Sequence, residues 1–273
     1  MPPGLAPART YSGFEDDRGL VSVRVSELRN PMPDAQRAVA DDLGPKLGPR
    51  LRSQERLVVG GLPASLLLLD TGREDAPSTD WQLMVFGAKD TLDVRGRFPR
   101  EEHERWQPAL RAALLGVEWN PAPTAGVFEG PGFKLRPPPG YAHAASALGV
   151  YTFTQHAESQ PSLLDPSFSV VLQAGTLAPL ELLVEFDRRL QARPGTTDWK
   201  VIQSSAVEVG GVPAREVLAH ARLAEEDEPF FLVGALFVDQ GVIWWLHGEA
   251  RLELEPVELP RMRACLYSFE RVR

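Results

Sequence analysis

Apolar and polar residues alternate through Leu20-Val21-Ser22-Val23-Arg24-Val25, which places Val21, Val23 and Val25 on one face of a predicted strand. A second candidate strand covers 9–14, and Asp16-Asp17-Arg18-Gly19 between them has the composition of a turn. The pattern then changes period. Asp34 can cap a helix in which Ala35, Ala38, Val39 and Leu43 recur at helical spacing, with Gly44-Pro45 and Gly48-Pro49 ending it. Further on come a strand over 65–70, a polar tip over 71–80, and strands over 81–86 and 91–95 enclosing the turn Gly87-Ala88-Lys89-Asp90. A helix over 100–115 closes this half. Trp106, Leu110, Ala113 and Leu114 form its stripe, and Glu101, Glu102, Glu104, Arg105 and Arg111 take the other side.

The second half repeats the plan. Strands are predicted over 150–154 and 167–172, then a helix over 180–192 with Leu183, Phe186 and Leu190 inward and Glu181, Glu185, Arg188 and Arg189 outward. Strand-like residues over 215–223, an acidic tip Glu225-Glu226-Asp227-Glu228, and strands over 230–238 and 242–247 follow. A short helix carries Leu259, Met262, Cys265 and Leu266 and leads into Tyr267-Ser268-Phe269.

The two halves share a motif. Val58-Val59-Gly60-Gly61-Leu62-Pro63-Ala64 returns as Glu208-Val209-Gly210-Gly211-Val212-Pro213-Ala214, with Gly60 and Gly210 150 positions apart. Glycine supplies backbone angles that other residues avoid and proline withholds a ladder donor, so the motif turns or offsets a strand. Neither copy has the context of a phosphate-binding loop. Pro2-Pro3-Gly4-Leu5 is likewise echoed by Pro137-Pro138-Pro139-Gly140-Tyr141. The expected organisation is therefore a unit over 1–119, a Pro/Gly-rich linker over 120–132, and a second unit over 133–273. Each unit is expected to be α+β, an antiparallel sheet with helices packed against it.

Composition narrows the function. A net charge of −8 and a pI near 5.3 argue against nucleic acid or an anionic membrane as partner. A single cysteine, Cys265, excludes an internal disulfide framework; the N-terminal residues lack signal-peptide character and no apolar run reaches spanning length, so a cytoplasmic protein is expected. His103, His143, His156, His220 and His247 fall in no ligand spacing, no nucleophile elbow is present, and the acidic tip lacks a calcium-loop pattern. No catalytic residue, metal site or cofactor is assigned, and the chain is not expected to be an enzyme.

One comparison between halves points to a surface. Aligning Val94 with Leu246 and Leu92 with Trp244 leaves an alternate face that carries Thr91, Asp93 and Arg95 in the first half but Ile243, Trp245 and His247 in the second. An apolar second face implies cover: another part of the chain, a neighbouring helix, or an apolar segment of a partner with Trp245 at its centre. The candidate partner-binding residues are Ile243, Trp245 and His247 with Phe231 and Val233 on the neighbouring strand.

These residues together resemble the PsbP-like superfamily, which takes in subunit P of photosystem II, Mog-type Ran-binding proteins and the Eag-type chaperones of type VI secretion effectors. The features that carry the resemblance are Pro139-Gly140-Tyr141, the helix, the V-x-G-x-P-A hairpin, the strand pair and Tyr267-Ser268-Phe269; the first half departs with Leu5 and with Leu115-Gly116-Val117. The resemblance implies that each unit is an α-β-α sandwich, with flanking helices on its antiparallel sheet, and that the protein is non-catalytic and binds another protein. The Eag-type members imply an adaptor or chaperone sheltering an apolar effector segment in a sheet-lined groove, either as a monomer with an internal pseudo-dimer or as a homodimer. A structural subunit of a larger assembly, or a small-ligand receptor or enzyme with a pocket between units, are the alternatives.

Overall fold

The computed structural model describes residues 2–29, 50–88, 90–119, 127–155, 165–178 and 180–272. The helix expected at 34–43, the expected linker residues 120–126 and His156 lie outside the described residues. The chain divides into two compact units, Met1–Pro123 with Ser146–Leu148 and Thr124–Ala145 with Gly149–Arg273.

Unit 1 contains β1 (Ala6–Pro7), β2 (Gly13–Glu15), β3 (Ser22–Arg29), β4 (Leu51–Val59), β5 (Leu62–Arg73), β6 (Ala76–Phe86), β7 (Asp90–Pro99) and helix α1 (His103–Leu115). Its strands lie in the order β1-β2-β3-β7-β6-β5-β4, every pair antiparallel. The expected polar tip at 71–80 is mostly strand. Thr71 Oγ1 donates to Asp80 Oδ1 at 2.8 Å, and Arg97 Nε and Nη2 each donate to the Asp80 carboxylate at 2.9 Å. Polar side chains that satisfy one another across strands sit in a ladder as well as apolar ones do, and only the residues between Arg73 and Ala76 form the turn. The helix buries Trp106, Leu110 and Leu114 against β6 and β7, as its stripe predicts.

Unit 2 contains β8 (Phe128–Gly130), β9 (Phe133–Leu135), β10 (Ala142–Ala147), β11 (Val150–Thr154), β12 (Ser167–Ala174), helix α2 (Glu181–Gln191), β13 (Thr196–Val209), β14 (Val212–Leu223), β15 (Pro229–Asp239), β16 (Val242–Arg251), helix α3 (Glu255–Tyr267) and β17 (Glu270–Arg271). The main sheet runs β10-β11-β12-β16-β15-β14-β13, and β17-β9-β8 form a small sheet of their own. The two main orders are the same. Val94 lies opposite Leu83 and Val25, and Leu246 lies opposite Ala235 and Val170, so β7 and β16 hold equivalent places.

The shared Gly-Gly motif is a two-residue hairpin turn in both units. Val59 pairs with Leu62 and Val209 with Val212. The intervening glycines have φ of 57° and 82° in unit 1 and 58° and 78° in unit 2, the pair of left-handed residues that a type I′ hairpin requires. Strand β13, which leads into the second copy, has too little alternation to be read from the sequence. It is an edge strand whose pairing shifts register between Thr197 and Lys200 and again between Val201 and Gln203.

Unit 2 is a three-layer sandwich. On one face α3 buries Met262, Cys265 and Leu266 against Phe153, Phe168, Phe231, Val233 and Leu246. On the other, α2 buries Leu182, Phe186 and Leu190 against Val217, Ala219, Leu232, Leu236 and Ile243. Leu183, expected inside, turns outward: three apolar residues in a row give two equally spaced helical stripes, and the one through Leu182 is used.

The Pro-Gly-Tyr element has a physical role. Gly140 has φ 87°, matching 90° at Gly4, and the buried Tyr141 hydroxyl donates to Glu258 Oε2 at 2.9 Å. Gln155 Nε2 at 3.3 Å and Arg261 Nη1 at 2.9 Å donate to Glu258 Oε1, so this buried carboxylate at the start of α3 is fully used. Unit 1 fills the corresponding places with Leu5 and Trp106, which pack into one apolar cluster. Trp106 and Glu258 are each the fourth residue of their helix.

Candidate functional site

The face of β16 singled out by the sequence lies under α2. Ile243 is buried there, while Trp245 and His247 are half-buried. The Trp245 indole meets Phe186 edge-on at 6.3 Å, carries the Arg189 guanidinium 5.2 Å from its centroid, and stacks on the His247 ring at 4.3 Å. A neighbouring helix thus supplies the cover, and a buried face of this size needs no partner to explain it. Phe231 and Val233 correct the expected set. They are fully buried on the opposite face, in the core beneath α3, because successive strand residues alternate and their neighbours Leu232 and Leu236 take the α2 side. The five residues therefore do not share one surface.

Beyond Trp245 the same face becomes polar. His247 lies opposite Ser169, and Glu249 opposite Ser167. Arg193 forms an ion pair with Glu249, and Ser167 Oγ donates to Glu249 at 3.4 Å. Burial tends to push the Glu249 carboxyl up, but Arg193 and His247 hold it below the ordinary value. Burial pushes His247 down from 6.5 to about 4; Glu249 opposes the shift and Arg193 and Arg189 add to it. The folded state therefore binds fewer protons here than the unfolded chain, so the stability contributed by this site is present above pH 6.5 and lost as pH falls toward 4. A shift of this size sets the loss at up to about 3 kcal/mol. His247→Phe, which keeps the stack on Trp245, is expected to flatten that part of the stability profile, measured as urea midpoint against pH. A parallel profile for the variant and the parent would refute the assignment.

His220 also lies beside a carboxylate, its Nε2 2.7 Å from Glu255 Oε2, where it ties β14 to the first turn of α3. It is an interlayer contact rather than part of a constellation. Among the described residues no group of three or more His, Cys, Asp or Glu is arranged to hold a metal ion. Cys265 is buried, and burial raises its thiol well above the ordinary range. No helix of the described residues is long and apolar enough to cross a membrane.

Sequence reasoning missed a second surface of unit 2. Leu180 (91% exposed), Leu183 (39%) and Val184 (70%) project outward from the start of α2, and Val201 (42%) and Ile202 (45%) project from β13, across which α2 packs. The signal was available in the run Leu182-Leu183-Val184, which is too apolar for a helix with one buried stripe.

The strand order and layers define a two-unit α+β protein, each unit an antiparallel sheet with helices packed on it. No family model matches the chain, and no curated protein matches it. Among solved structures it is similar to the Tle4–Tli4 complex (11% identity, 98% of this chain and 97% of that one, TM-score 0.46) and to TplEi, an immunity protein of the T6SS of Pseudomonas aeruginosa (10%, 98% and 96%, 0.44). It is also similar to the cyanobacterial PsbP of Synechocystis (11%, 57% of this chain and 99% of that one, 0.41). These are likenesses of fold.

Proposed function

We propose that the protein is a non-catalytic, cytoplasmic protein-binding adaptor or chaperone that holds an apolar segment of a secreted effector, and that unit 2 makes the contact. The observation that supports this reading is the outward apolar set on α2 and β13. Both cores of unit 2 are already filled, so Leu180, Leu183, Val184, Val201 and Ile202 are surplus to its folding. Contiguous apolar surface of this kind is what a partner covers. The effector as partner follows from the Eag-type resemblance. The contact differs from the sheet-floor groove expected from the sequence: α2 occupies that floor, and the partner meets the outer side of the helix.

The test is the double variant Leu183→Asp, Val184→Asp. Val184 is 70% exposed and Leu183 39%, so stability is expected to fall by about 0.5 kcal/mol at Val184 and about 1 kcal/mol at Leu183, short of unfolding. Proteins co-purifying with the tagged parent from its host are expected to be lost from the variant. The same proteins recovered in the same amount would overturn the reading.

A further inference from the structure

We propose that unit 2 takes its partner as an added β-strand on the outer edge of β13, and that the segment accepted is extended, apolar at alternate positions, and flanked by lysine or arginine. This rests on the protein-binding reading above and specifies its mode.

Strand β13 ends the main sheet of unit 2: one side pairs with β14, and no described strand pairs with the other. The two register shifts are confined to its first half. From Gln203 to Val209 every residue has a partner in β14 without interruption, leaving about 20 Å of regular edge whose outward N–H and C=O groups match an extended chain.

The geometry of α2 places an apolar wall beside this edge. Arg189 reaches from α2 to Trp245 on β16, and its Nη2 donates to Gln173 Oε1 on β12 at 2.8 Å, so that flank of the helix looks toward β16. At about 100° per residue, Leu180, Leu183 and Asp187 fall on the opposite flank, on the side of β13. Val201 lies opposite Ala219, a residue of the layer under α2, so its exposed side chain belongs to the same face. An added strand would set alternate side chains against Val201 and the Leu180–Leu183 flank.

Charge selects the ends of the segment. Asp187 is exposed on that flank of α2; Glu208 is exposed on the same side of β13, because Val209 packs into the α3 core. Neither has an ion-pair partner among the described residues, and the chain carries a net charge of −8. Basic residues flanking the apolar stretch would complement both carboxylates.

The experiment uses the full chain and a nine-residue peptide of alternating valine and threonine with lysine at each end. Saturable binding is expected by fluorescence anisotropy, with amide exchange slowed at 203–209 and unchanged in α3. Binding is expected to weaken about tenfold or more for a glutamate-ended peptide, for one interrupted by proline, and for the full-length variant Leu183→Asp, Val201→Asp. No saturable binding, or equal affinity for the proline-interrupted peptide, overturns the proposal. Concentration-dependent dimerisation of the protein alone, removed by Val201→Asp, assigns the edge to a second copy and also overturns it. If a co-purified partner is retained against excess lysine-ended peptide, the protein-binding reading stands and strand addition falls.

Discussion

Phe186→Ala is expected to lower the unfolding free energy by about 3–5 kcal/mol and to release α2 from the sheet. The side chain is 1% exposed, sits between Leu182 and Leu190 in the helix stripe, and meets the Trp245 ring. Urea unfolding followed by tryptophan fluorescence reads the loss, because Trp245 on β16 and Trp199 on β13 both pack into the layer under α2. A cost below about 1 kcal/mol would mean that the helix contributes little to the sandwich. The same geometry changes the meaning of substitutions at Trp245: Trp245→Asp would put a charge against Phe186, so loss of partner binding in that variant would report an unseated helix rather than a lost contact.

The second large effect distinguishes the two copies of the hairpin. Valine at either first glycine must adopt a φ near +57°, costing about 1–2 kcal/mol. At Gly60 a Cβ meets nothing within 4 Å, whereas at Gly210 it lies 2.8 Å from Phe269 Cδ1, inside a core that also holds Phe133, Phe237 and Trp244. Overpacking adds about 1–3 kcal/mol there. Gly60→Val should therefore be mild and Gly210→Val clearly more destabilising, compared by thermal unfolding of the two single variants. Equal losses would show that the Phe269 contact yields at no cost.

Much of the architecture was legible because period and punctuation agree. The Gly-Gly turns, the strands around Gly87 and the stripe Trp106-Leu110-Leu114 each combine an apolar rhythm with a clear stop. What escaped notice lacked that rhythm. Edge strand β13 exposes both faces along much of its length, and Thr71, Ser78 and Asp80 look like loop because their partners are each other and Arg97 rather than water. The grouping of the candidate residues departs from the structure in a specific way. The lack of alternation in Ile243-Trp244-Trp245 was read correctly as a covered face, but a sequence does not reveal which element provides the cover. Phe231 and Val233, on the neighbouring strand, were grouped with it, although parity places them on the far side of the sheet.

The corner where the chain enters each sandwich constrains the order in which the two halves could have diverged. Unit 1 joins Leu5 to Trp106 in one apolar cluster, and unit 2 joins Tyr141 to Glu258 through a hydroxyl. If both descend from a half with the apolar pair, a carboxylate arriving first would be buried with one oxygen held by Arg261 and Gln155 and the other facing leucine without a donor, a loss of about 1–3 kcal/mol. Tyrosine arriving first keeps a ring against a ring and brings the donor that the carboxylate later needs. From such an ancestor, the tyrosine-first order is the one that never leaves a buried carboxylate oxygen without a donor.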